Sequence, residues 1–291
     1  VKVISGKTGD IPILGKEEMV QRSVALRREG RGIVLVPTMG YLHEGHLSLI
    51  RAARPMKPVL VVSVFVNPTQ FGPDEDYQRY PRDMERDGRL AAGAGADIIF
   101  APTVEEMYPE GYQTYVRVEE LSRHLCGASR PIHFRGVATV VLKLFNILGP
   151  EAAVFGEKDY QQLAVIRRMV RDLDLPVEIV GCPIVREGDG VAMSSRNEYL
   201  SPEERLSARS LNRSLEAGGE LILGGQKNAG MIRKAIREVI EAAEGTTVDY
   251  VSVADPETLE ELDRVAGPAL LAVAVKIGPT RLIDNRVVSP G

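Results

Sequence analysis

"IVLVPTMGYLHEGHLSLIRAAR", residues 33–54, passes from an apolar run through a proline and a glycine into leucines and an isoleucine at helical spacing. It reads as strand, turn and helix. "KPVLVVSVFVNP", residues 57–68, repeats the strand with a continuous β-branched run, as expected of a parallel strand covered on both faces. "GADIIFAPT" (95–103) and "AAVFGEKDYQQLAVIRRMVRDL" (152–173) add two more strands, the second running into a helix, and "PVEIVGCPIV" (176–185) a fifth. Alternating strands and helices with short turns predict an α/β fold with a doubly wound parallel sheet, whose ligands bind beyond the carboxyl ends of the strands.

After residue 185 the texture changes. "SPEERLSARSLNRSLEAG" (201–218) opens with Ser201 as N-cap, Pro202 at the first helical position and Glu204 in the capping-box place. A second helix near 229–243 and strand-like "TTVDYVSVAD" (246–255) and "ALLAVAVKIG" (269–278) follow. They predict a smaller C-terminal α+β domain, with residues 1–183 forming the first domain, 184–291 the second, and a hinge near 181–190.

With 291 residues, 44% of them hydrophobic, the chain can bury a sizeable core. Its 36 basic and 40 acidic side chains leave a net charge of -4, which argues against nucleic acid as the partner. The two cysteines, Cys126 and Cys182, are far apart and lack CxxC spacing, so neither a disulfide framework nor a cysteine-rich zinc site is expected. "VKVISGKTGDIPIL" at the start is too interrupted for a signal peptide or a membrane span, and the expected location is the cytoplasm.

Polar motifs follow the strands. His43 and His46, two of only four histidines, occupy the first strand-to-helix turn, where free N–H groups already favour an anion and two imidazoles can donate to phosphate oxygens. Gly40 and Gly45 allow a ligand close to the backbone. A pair of capping histidines would look the same, whereas the HExxH zinc-protease spacing is missed by one residue. In "FVNPTQFG" (65–72), Asn67 and Gln70 are neutral amides that suit a hydroxyl or a carboxylate, although Asn-Pro also marks an ordinary turn. In "FGEKDYQQL" (155–163), Lys158 and Asp159 lie at the rim with Gln162 a turn later; a solvated Lys-Asp pair is the plain alternative. "DGVAMSSRNEYLS" (189–201) offers Ser194, Ser195 and Arg196 as a phosphate clamp, or merely a polar loop before a helix. "SRHLCGASRPIHFRGV" (122–137) reads as a loop, either a mobile cover or plain surface, with no catalytic role.

Six blocks, "PTMGYLHEGH", "FVNPTQFG", "RPIHFRGV", "FGEKDYQQL", "AMSSRNEYLS" and "TRLIDN", stand in the order and spacing of one family. From about residue 10 to 287 the sequence resembles the pantothenate synthetases, ligases that join pantoate to β-alanine while ATP becomes AMP and pyrophosphate. The resemblance implies a Rossmann-like first domain with the HxGH signature of the nucleotidylyltransferase superfamily, a C-terminal domain closing over the ATP site, and a homodimer. It implies a first ATP-binding segment of Met39, Gly40, Tyr41, Leu42, His43, Glu44, Gly45 and His46, with His46 as proton donor. Gly156, Glu157, Lys158 and Asp159 resemble a second, and Val185, Met193, Ser194, Ser195 and Arg196 complete the ATP site. Gln70 matches a pantoate ligand that also lies close to β-alanine, and Gln162 matches the second pantoate ligand. Tyr41 stands where many members have alanine, and Ile132 where glycine is frequent.

The implied catalytic set is His43, His46, Lys158 and Arg196. Magnesium is expected to arrive with the ATP phosphates, with no protein metal site and no tightly bound cofactor; Asp87 is the nearest acidic candidate. "GYQTYVRVEEL" (111–121) alternates like a strand at a dimer interface or in a hairpin. Two other functions use the same turn: a transferase moving AMP to a phosphorylated coenzyme precursor, and a non-catalytic nucleotide-binding protein.

Overall fold

The computed structural model describes residues 2–6, 9–73 and 75–290; the outermost positions of the expected domains, Val1 and Gly291, lie outside the described residues. The chain packs as two compact units, Val1–Val118 with Arg130–Glu157 and Gln162–Pro183, and Glu119–Ser129 with Lys158–Gln161 and Ile184–Gly291.

The first unit holds β1 (Lys2–Gly6), β2 (Gly9–Leu14), α1 (Lys16–Arg28), β3 (Ile33–Thr38), α2 (Glu44–Ala53), β4 (Val59–Val64), α3 (Met84–Ala94), β5 (Ile98–Phe100), α4 (His133–Leu148), β6 (Ala152–Gly156), most of α5 (Tyr160–Asp172) and β7 (Glu178–Cys182). Its seven strands run in the order β1-β2-β5-β4-β3-β6-β7. All neighbours are parallel except β1 and β2. The five expected strands are present, and the N-terminal pair β1 and β2 is added to them; Gly, Asp and Pro hide β2 from a search for apolar runs. Val34, Val36, Leu60, Val62 and Ile99 pack with Leu49, Ile50 and Ala91 from α2 and α3. Their strand neighbours Ile33, Leu35, Val61 and Phe100 are buried too, so the sheet is covered on both faces. The chain leaves β3 toward β4 on one side and pairs β6 on the other, placing the switch point at the ends of β3 and β6.

The second unit stacks α6 (Pro202–Leu223) and α7 (Ala229–Glu241) with an antiparallel sheet of β8 (Thr246–Ala254), β9 (Ala269–Ile277) and β10 (Thr280–Val288). Ser201 and Glu204 form the expected capping box, with bonds of 3.2 and 2.9 Å. Strand β10 carries the "TRLIDN" block, whose buried Asp284 and Asn285 interrupt the apolar pattern that would have announced a strand.

One loop expectation is corrected, and one of the two readings of residues 111–121 is set aside. "HFRGV" is the first turn of the 16-residue helix α4, not a loop. Residues 112–118 pair with no strand among the described residues, so the hairpin within the chain is not formed, and the Val116 N–H goes to the Thr139 hydroxyl at 2.9 Å.

Candidate functional site

The turn after β3 is built around one buried carboxylate. Thr38 Oγ1 donates to the Ser63 carbonyl at 2.7 Å and accepts the Gly40 N–H at 3.1 Å, fixing the exit of the strand. Gly40 takes φ +83°, and a Cβ there would meet Val64 and Asp87 at 2.8 and 2.9 Å. Tyr41 also has a left-handed φ, 51°. Its N–H and that of Leu42 each donate to an oxygen of Asp87 at 2.7 Å. Burial raises the Asp87 pKa, while these two N–H bonds pull it down. Asp87 is therefore a clamp on the histidine turn, each of its oxygens accepting one backbone N–H. The Tyr41 ring is covered by the Arg86 guanidinium 5.0 Å from its centroid, which accommodates the bulk where alanine is frequent.

The turn delivers His43 as N-cap of α2. The His43 N–H donates to His46 Nδ1 at 3.3 Å, and the two rings lie 4.0 Å apart. The capping alternative is thus realised, and an accepting Nδ1 places the proton of a neutral imidazole on Nε2. Glu44 pairs with Arg51, and Gly45 lends its carbonyl to Ser48 at 2.8 Å.

Gln70 closes a 3-10 turn, Pro68–Gln70, capped by Asn67. Here too the plain Asn-Pro turn exists, and it aims the amide. The Asn67 Nδ2 donates to Gln70 Oε1 at 3.0 Å and to the Gly136 carbonyl at 3.2 Å. Tyr108 donates to Asn67 Oδ1 at 2.8 Å, and burial pushes that phenol up to about 12, which keeps it a neutral donor. Gln70 Nε2 reaches the Met39 sulfur at 3.4 Å, joining an expected ATP residue to the expected pantoate ligand. The backbone of the turn is held by His133 Nδ1 at 2.9 Å and Arg130 at 3.3 Å, both to the Gln70 carbonyl. Burial works against the Glu75 carboxylate, but the Arg130 guanidinium at 2.7 Å holds its pKa below the usual range. Gly136 permits the contact of α4, because a Cβ there would fall 2.6 Å from the Gln70 nitrogen. Ile132 has φ -92°, so glycine is not required at that position.

Gly156 ends β6, Glu157 starts the 3-10 turn after it, and Gln162 is half-buried on α5. Burial, with the nearby Glu157 charge, raises the Cys182 thiol; Cys126 is buried and both are free.

In the second unit Lys158 pairs with Asp159 at 3.7 Å, with 21% of the lysine and 48% of the aspartate side chain exposed, so the plain ion pair is present. Residues 185–193 form a small hairpin, with the Met193 N–H donating to the Val185 carbonyl at 2.9 Å. Ser194 caps the turn of Ser195–Tyr199 by accepting the Arg196 N–H at 3.3 Å. Lys158, Ser194, Asn197 and Asp284 line one recess. Arg205 braces the hairpin through two 2.8 Å bonds to Asp189 and one of 3.0 Å to Glu187. Asn197 ties Glu187 and the Ala192 carbonyl at 2.7 and 3.1 Å.

His133, Arg130, Asn285 and the hairpin brace are not among the site residues expected from the sequence, and Asp87 is expected there only as the acid nearest to magnesium. Only Asp87 left a usable mark, an acid one turn before Ala91 on the apolar face of α3.

Residues 13–287 match the model of the family described as Pantoate-beta-alanine ligase. The chain belongs to that family. The pantothenate synthetase of Moorella thermoacetica is 61% identical over 264 residues, covering 91% of this chain and 93% of its own. The crystal structure of the Thermus thermophilus pantothenate synthetase superposes with a TM-score of 0.91 at 52% identity, over 96% of this chain and all (100%) of that one. A Francisella tularensis pantoate-β-alanine ligase, complexed with β-γ ATP and β-alanine, superposes with a TM-score of 0.79 at 33% identity, covering 95% of this chain and 97% of its own. This ligase therefore has the α/β architecture expected from its strands and the family expected from its six blocks. No helix among its described residues is long and apolar enough to cross a membrane.

Proposed function

We propose that the chain ligates pantoate and β-alanine through an acyl adenylate. A carboxylate resists an amine until its oxygen joins a good leaving group, and ATP supplies one. Pantoate's carboxylate oxygen attacks the α-phosphorus in line and pyrophosphate leaves. The amine of β-alanine then attacks the acyl carbon, loses a proton, and AMP departs with the bond electrons. No enzyme nucleophile is used.

The observation that carries this assignment is the Nδ1 of His46 accepting the His43 N–H, which fixes the ring at the N-terminus of α2 with the proton of its neutral form on Nε2. There the helix dipole and the fixed imidazole act together on phosphate charge as it develops. His43, Lys158, Ser194, Ser195 and Arg196 supply further donors to the phosphates, alongside the backbone of Met39–Glu44, Gly156–Asp159, Val185 and Met193. Gln70 and Gln162 hold pantoate by neutral amides, with no charge of their own to oppose its approach to ATP; Gln70 also borders β-alanine. This division of binding residues between 1–183 and 184–291 belongs to the same proposal.

Magnesium is proposed to accompany ATP, ligated by phosphates and water. Among the described residues no three His, Cys, Asp or Glu side chains gather as a cation site. A cytoplasmic homodimer is also proposed, on the strength of the family resemblance; analytical ultracentrifugation checks the assembly.

The deciding experiment follows pyrophosphate and AMP from ATP and magnesium with each substrate omitted in turn. Pantoate-dependent pyrophosphate, and repeated turnover to AMP only with β-alanine, is the expected result. Pyrophosphate release indifferent to pantoate overturns the assignment and directs attention to phosphorylated acceptors.

A further inference from the structure

The "TRLIDN" block belongs to the family resemblance yet has no part in the chemistry above, and its last two residues are adjacent buried polar groups in strand β10. Asp284 and Asn285 are 2 and 6% exposed, between Leu282 and Val288 of the hydrophobic core. Asn285 Nδ2 donates to the carbonyl of Lys158 at 2.9 Å. Asp284 accepts from both terminal nitrogens of Arg186, at 2.6 and 2.9 Å, and its Oδ1 also takes the Asn285 N–H at 2.8 Å. Arg186 donates in addition to the Gly190 carbonyl at 3.1 Å, across the hairpin that ends in Met193 and Ser194.

One pair of adjacent side chains thus grips two segments far apart in sequence. A buried ion pair gives little stability that apolar side chains of equal volume would not match. What a carboxylate and an amide supply instead is direction: each bond fixes a carbonyl or a guanidinium at one angle. Resting on the ligase assignment, we propose that Asp284 and Asn285 are positioning residues that hold Lys158 and the 193–196 segment in one geometry for the phosphates of ATP. Neither touches substrate. Asn285 acts through Lys158, and Asp284 acts through Arg186 and the hairpin.

The test is a double-mutant cycle on pantoate-dependent pyrophosphate release, using the full chain with Mg-ATP. Asn285→Ala is expected to lower kcat roughly 10- to 100-fold, the scale of a misplaced catalytic group, with the KM for pantoate unchanged. In a Lys158→Ala background the same change is expected to cost nothing further. A purely structural role would give an equal loss in both backgrounds, and that result, or a wild-type rate for Asn285→Ala, overturns the proposal. Thermal melting establishes that each variant is folded. Should Asn285→Ala not fold, Arg186→Lys, at a side chain 22% exposed, carries the cycle against Arg196→Ala with the same criteria. If the unmodified chain releases no pantoate-dependent pyrophosphate, the ligase assignment fails by itself. Calorimetric Mg-ATP affinity then replaces the rate in the cycle: loss only when Lys158 is present supports the positioning role, and equal loss in both backgrounds, or none in either, overturns it.

Discussion

The histidine turn after β3 and the hairpin at residues 185–193 are both braced by an aspartate, in opposite ways. Asp87 is 1% exposed and takes two backbone N–H groups, so burial dominates and its pKa is raised. Asp189, partly exposed, faces the fork of Arg205, whose hydrogen bonds hold its pKa below the usual range. The first brace depends on dehydrated backbone dipoles and the second on a charge pair in contact with water. A buried clamp fixes a turn to one geometry at a high cost if broken, whereas an ion pair at the surface is weaker and yields to salt and acid.

The comparison fails at its root if the turn does not serve chemistry. His46→Ala is expected to slow adenylation by roughly 10²- to 10⁴-fold, measured as pantoate-dependent pyrophosphate release. A near-wild-type rate would remove Nε2 from the mechanism and leave only a capping histidine.

Asp87→Asn sharpens the buried side. The amide can accept one of the two N–H bonds but presents its own N–H to the other, with an expected loss of about 2–3 kcal/mol in unfolding free energy by denaturant titration. In the parent chain the raised Asp87 pKa contributes stability that is complete below the unfolded value, about 3.9, and is lost as pH rises through the folded value. In Asp87→Asn that decline should be missing.

Gly136→Ala probes a third brace, in which backbone meets backbone. Its Cβ would force the Gln70 turn aside, at roughly 1–3 kcal/mol, and raise the KM for pantoate more than that for ATP. Equal changes in both constants would detach Gln70 from pantoate.

The smallest effect is expected at Asp189→Asn, about 1 kcal/mol or less. Because the Asp189 pKa is lowered, its contribution is present above the unfolded value, about 3.9, and disappears as pH falls through the folded one. Melting curves of parent and variant should converge in acid and separate toward neutrality, the reverse of the Asp87 pattern.

Much of this is legible along the chain. The apolar runs at 33–36 and 59–64 lie in the two central strands because parallel strands buried on both faces cannot hide their composition. Ser201, Pro202 and Glu204 announce α6 by local hydrogen bonding alone. The block at 130–137 reads as a loop because Pro131 and Gly136 look like breakers, yet Pro131 precedes the helix and Gly136 is the point where α4 meets the Gln70 turn. Strand β2 escapes a search by pattern because its short apolar positions are broken by Pro12 and completed by pairing with β5.

The sequence by itself determined the strand-turn-helix alternation, the placement of His43, His46, Gln70 and Lys158 just beyond strands, and the family. These properties depend on neighbours within a few positions, through periodicity, capping and turn chemistry. Tertiary structure alone decided that Asp87 clamps Tyr41 and Leu42, that His133 and Arg130 fix the Gln70 carbonyl, and that Asn285 holds Lys158. Each of these bonds joins residues 45 or more positions apart. No local pattern encodes such a bond, because its donor and acceptor meet only when the sheets and helices around them have packed.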